Sequence, residues 1–153
     1  MKKFEFSLER LLGFKRSMYE KERNALAQLR VQRLALEAKK EETQRQIAVM
    51  EAEFREKAAN GVKMDEVNRL SFHQTNAGRL IEQLDVDIEQ MDVLIQRQLE
   101  VVIQLDKDVK GLEKLRETQW DEYTAEAMKA EQERILELVS GRFIEDQKSG
   151  EGQ

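Results

Sequence analysis

Val67, Leu70, Gln74, Ala77, Ile81, Leu84, Ile88, Met91, Ile95, Gln98, Val102, Leu105, Val109, Leu112, Arg116, Gln119 and Tyr123 follow one another in strictly alternating steps of three and four residues. Thirteen of the seventeen are apolar. An average spacing of about 3.5 keeps one narrow edge of a helix turned toward a partner helix along its whole length, which specifies a coiled coil. The stretch therefore predicts a rod. A rod has no concavity to enclose chemistry, so function turns on what its ends and flanks touch.

The partner is found upstream. Ser7 offers an N-cap, Phe6 and Leu11 occupy the positions of a hydrophobic staple, and a first helix is predicted from about 8 to 58. Its own seam runs Leu8, Leu12, Lys15, Tyr19, Glu22, Leu26, Leu29, Arg33, Leu36, Lys40, Thr43, Ile47, Met50, Phe54, with five polar members. Long Lys and Arg stems can lie over a neighbouring helix with their charged heads in water, so these positions soften the seam without preventing pairing.

From about 58 to 65 the pattern lapses. Asn60-Gly61 supplies two residues tolerant of a left-handed backbone, and Asp65 offers a fresh N-cap for a second helix over about 66–140. A loop this short between long helices makes them antiparallel. With its centre near position 62, facing residues should have numbers that add to roughly 124 at equal rise per residue. That register sets Phe54 near Leu70, Ile47 near Ala77, Leu36 near Ile88, Leu29 near Ile95 and Tyr19 near Leu105; a slip of one heptad also pairs apolar with apolar. The fold class expected is all-α: a long antiparallel two-helix coiled-coil hairpin with a longer second helix, one domain over 1–146. Beyond the start of helix one, helix two continues past Trp120 and Tyr123 toward Ser140-Gly141 as an overhang that frays or waits for a partner. Gly111 marks a place where it can bend. The polar stretch 147–153 is expected to be disordered.

Composition agrees with a thin buried line. Of the 153 residues 37% are charged and 6% aromatic, with no Pro to interrupt a helix. No Cys is present, which excludes disulfides and thiolate metal sites. A net charge of -5 repels a phosphate backbone, so nucleic acid is not an expected partner. No apolar run approaches the ~20 residues of a membrane span, and Glu5, Glu9 and Arg10 break any signal-peptide core, so the chain reads as a soluble protein.

Few residue constellations suggest chemistry. His73 is the only histidine and has no clustered carboxylates beside it. Asp85, Asp87 and Glu89 alternate along a helix and point to different sides, so they do not converge on an ion. Phosphate-binding loops, catalytic triads and helical zinc motifs are missing from the sequence, and no enzyme activity, catalytic residue, metal or cofactor is expected. Three apolar sets remain. Phe4, Phe6, Leu11 and Phe14 either cap the end of the hairpin or meet a partner. Trp120 and Tyr123 either anchor an interface or pack on Phe4 and Phe6. Phe72 and His73, near the tip, either form an exposed edge for a partner or are ordinary surface.

The opening Phe4-Glu5-Phe6-Ser7-Leu8-Glu9-Arg10-Leu11-Leu12 resembles the FliJ family of bacterial flagellar export proteins. So does the distal block Val109-Lys110-Gly111-Leu112-Glu113-Lys114-Leu115-Arg116-Glu117, followed by Tyr123, Glu126 and Glu131-Gln132. The likeness covers nearly the whole chain; at its far end Ile135-Leu136-Glu137-Leu138 replaces the acidic Leu-Asp-Glu-like step that family members often carry. The resemblance implies a cytoplasmic component of the flagellar type III export apparatus, peripheral at the inner membrane and serving flagellum assembly and motility. It implies three partners: the export ATPase hexamer, the membrane export gate and the export chaperones. Like the central stalk of a rotary ATPase, the paired ends would enter the ring, through Phe4, Phe6, Leu8, Leu11, Leu12, Leu112, Leu115, Arg116 and Tyr123. Phe72, His73 and Asn76 would face the export gate. Two other classes fit the same residues: a freestanding coiled-coil holdase chaperone, and a self-associating structural coiled coil.

Overall fold

Two periodic seams, one short Gly-containing link and no proline yield two helices packed antiparallel. The computed structural model describes residues 2–151, with α1 over Glu9–Ala58 and α2 over Met64–Glu151. Among the described residues there is no strand. The fold is the all-α coiled-coil hairpin with a longer second helix that the spacing predicts.

Each seam lies on the packed side. All fourteen positions of the first are buried or half-buried, as are all but Gln74 and Arg116 of the second. Within the unit Met18–Leu105 the best-buried side chains are Leu26, Leu84, Ile88, Val102 and Leu105. In the second unit, formed by the residues on either side of that segment, they are Phe6 and Leu12. Burying one such side chain fully is worth about 1.5–3 kcal/mol, so a line of them can hold a hairpin with no thick core.

Cross-helix polar pairs fix the register within each unit. Arg33–Asp92, Lys40–Asp85 and Glu51–Gln74 in the first unit have residue numbers that add to 125, as do those of Glu9–Arg116 in the second. Lys15–Asp108 adds to 123. A heptad slip would move the total by seven, so the register near 124 is the one adopted. Gln98, a polar member of the seam, donates to the Glu22 carboxylate at 2.6 Å and to the Glu22 carbonyl at 2.9 Å.

The helix ends differ from the sequence expectation. The opening turn is closed by Glu9 N–H to the Phe6 carbonyl at 3.1 Å, and Leu12 N–H donates to Leu8 O at 2.9 Å, so α1 starts at Glu9, one residue from the start expected near Leu8. At the tip, Gly61 N–H donates to Ala58 O at 3.2 Å, and Gly61 takes φ 91°, the left-handed turn for which a glycine is suited. Val67 N–H donates to Lys63 O at 3.3 Å, so α2 begins at Met64 and Asp65 sits inside the first turn, where with Glu66 it complements the helix dipole.

The far end of α2 differs most. Helical structure runs unbroken through Gly111 and Ser140-Gly141 to Glu151, beyond the expected stop near 140 and into the stretch 147–153 expected to be disordered; residues 152 and 153 lie outside the described residues. A glycine inside an exposed helix costs only ~1 kcal/mol, and without a proline nothing compels a stop.

Candidate functional site

The N-terminal segment ahead of α1 lies along α2 in one aromatic cluster. Phe4 meets Trp120 edge to face at a centroid distance of 5.1 Å and Tyr123 at 5.5 Å. Trp120 and Tyr123, three apart on one helix face, stack at 5.7 Å. The Tyr123 hydroxyl donates to the Lys2 carbonyl at 2.7 Å, tying the extended segment down by its backbone. Arg116 completes the cluster: its guanidinium lies 5.6 Å from the Phe4 ring centre and donates to Glu9 Oε2 at 2.9 Å. A cation over an aromatic face adds about 0.5–1 kcal/mol at an exposed site.

The residues expected to meet an ATPase ring therefore fall into three groups. Phe6 and Leu12 are buried, Leu12 with 0% of its surface exposed, so they build the end rather than offer it. Phe4, Leu8, Leu112 and Tyr123 are half-buried. Leu11, Leu115 and Arg116 are exposed, Arg116 while paired with Glu9 and set against Phe4. Beside them Phe14 is 60% and Trp120 45% exposed, although neither stands in the set inferred from the family resemblance. Leu11, Gly111 and Leu112 border a shallow groove together with Lys15, Lys107 and Asp108. The N-terminal aromatics cap the end through Phe4 and Phe6, and Leu11 and Phe14 remain exposed beside them.

Two contributors were not singled out by spacing. Glu9 anchors Arg116, and the Lys2 carbonyl anchors Tyr123. A backbone acceptor has no sequence signal, whereas the Glu9–Arg116 pair was within reach of the register, since their numbers add to 125.

Near the tip, in the unit Met18–Leu105, Phe72 is 64% exposed and its ring stands 5.8 Å from that of His73. His73 and Asn76 share a shallow groove of about 210 Å³ with Ile47, Met50 and Leu80. No group of three or more potential metal ligands occurs among the described residues. Among the described residues no helix is long and apolar enough to cross a membrane. No family model, curated protein or solved structure matches the chain.

Proposed function

We propose that the chain is a non-enzymatic component of the flagellar type III export apparatus that binds the export ATPase ring through its terminal end, in the manner of a central stalk, and links it to the export gate and export chaperones. The observation that carries this reading is the aromatic end itself. Phe4, Trp120, Tyr123 and Arg116 are held in a fixed arrangement while Leu11, Phe14 and Leu115 stand exposed around them. Large apolar side chains on a rigid support are how interface anchors are presented. Phe4, Leu11, Leu115, Arg116 and Tyr123 also belong to the stretches that resemble the FliJ family.

In this role the chain hydrolyses nothing. It favours the assembled ring by binding it better than the separate subunits, and it raises ATPase activity by mass action. The exposed Phe72, His73 and Asn76 edge is proposed for the export gate. Adding purified chain to the export ATPase is expected to stimulate hydrolysis. Leu11→Asp and Leu115→Asp should abolish the stimulation with helicity retained, because both side chains already face water. No stimulation by folded wild-type protein would overturn the proposal.

A further inference from the structure

Beyond the aromatic end, α2 carries a second apolar surface with no neighbour. Met128, Ile135, Val139 and Phe143 recur at steps of seven, four and four, which returns each to one side of the helix, and all four are between half and two-thirds exposed. Leu136 widens that stripe. Helix this long and unsupported gains little from intrinsic propensity, so a stripe of this kind is suited to a helical partner.

The charges beside the stripe indicate which partner. Glu131 and Arg142 stand eleven residues apart, about three full turns, and so fall along the same flank. If a second copy is laid antiparallel with facing numbers adding to about 271–273, Glu131 of each copy meets Arg142 of the other. The same register sets Met128 opposite Phe143, Gln132 opposite Val139 and Ile135 opposite Leu136, each twice about the twofold axis. A self-complementary patch of this type is what an isologous dimer requires. In a parallel, in-register pairing Glu131 of one copy stands about 16 Å along the axis from Arg142 of the other, too far for contact. Within one chain Glu131 holds Arg134 at 2.9 Å, an exposed pair that a partner's Arg142 can displace.

We infer that the distal stretch of α2, from about 125 to 146, is a homodimerisation helix that pairs antiparallel with the same stretch of a second copy, with reciprocal Glu131–Arg142 contacts on its flank. The inference does not rest on the proposed export role, and its readouts are mass and cross-linking rather than ATPase activity.

Sedimentation equilibrium of the full chain over a range of micromolar concentrations is expected to show a species of twice 18.0 kDa. Ile135→Asp, at an exposed position, should return it to monomer with unchanged helicity. Glu131→Lys or Arg142→Glu alone turns two attractive contacts into repulsive ones and should weaken the dimer roughly tenfold, and the double exchange should restore it. Because the native chain has no cysteine, orientation can be read directly. Gln132→Cys and Val139→Cys proteins should form a disulfide when mixed and neither should link to itself. A monomer at every concentration, a dimer indifferent to Ile135→Asp, or self-linking of either single-cysteine variant would overturn the inference.

Discussion

Leu12 is the one large side chain of the described residues with no exposed surface, and it belongs to the unit formed by the N-terminal residues and the distal part of α2. Removing it leaves a cavity in a core only one residue thick. Leu12→Ala is expected to destabilise the hairpin by about 2–5 kcal/mol in chemical denaturation, whereas Phe72→Ala, at the open tip, should change stability by less than about 0.5 kcal/mol. Charged side chains speak through pH. The Arg45 guanidinium, hydrogen-bonded at 2.6–2.9 Å, holds the Glu42 carboxyl below its usual range, helped by Gln46. A carboxylate so depressed stabilises the fold above the ordinary Glu range and loses that contribution as pH falls through its folded midpoint. Lys40, raised by its hydrogen bond to Asp85, has the opposite sense: its contribution is present at neutral pH and is lost as pH rises through its folded value. NMR titration should place the Glu42 midpoint below the usual carboxylate range, and Arg45→Gln should return it there.

At the scale of the helices, charge and spacing act together. Twelve basic and nine acidic residues lie on α1, and eleven basic and 21 acidic on α2, so α1 is net +3 and α2 net -10. Lys15–Asp108, Arg16–Glu113, Arg33–Asp92 and Lys40–Asp85 each join a base of α1 to an acid of α2. Such exposed pairs are worth at most about 1 kcal/mol each, so they choose the register rather than drive folding. The seam was legible because it repeats many times over, whereas the register was legible only to within a heptad and is decided by the short tip loop and the cross-helix pairs. Helix ends were less legible, because each rests on one turn. Ser7 and Asp65 have the chemistry of caps, yet backbone bonds from Glu9 and Val67 fix the starts elsewhere, and Ser140-Gly141 has the look of a stop that α2 passes through. The glycines separate these effects. Gly61→Ala, at φ 91°, should cost about 1 kcal/mol, whereas Gly78→Ala, where an added Cβ meets nothing within 4 Å, should raise stability by about 0.5–1 kcal/mol; thermal melts of the two variants should shift in opposite directions.

Exposed large apolar side chains occur along both helices, Val31, Leu34, Val93 and Leu94 among them, as well as at the aromatic end, on the distal stripe of α2 and at the tip. The sequence made the aromatic end visible as an excess of Phe near the N-terminus and an aromatic pair on α2, but their contact depended on an extended segment tied by the Lys2 carbonyl, for which no side-chain pattern exists. Leu12 stands on the seam and Leu11 and Phe14 off it, so their depths were legible, whereas Phe6 precedes the helix, where no periodicity signals burial. In the proposed role that end is the docking surface for the export ATPase ring. Hydrogen–deuterium exchange of the chain, alone and with the assembled ATPase, tests this most directly. Added protection confined to about 2–16 and 108–125 is the result the account predicts; protection only around the tip at 60–80, or none at all, would contradict it.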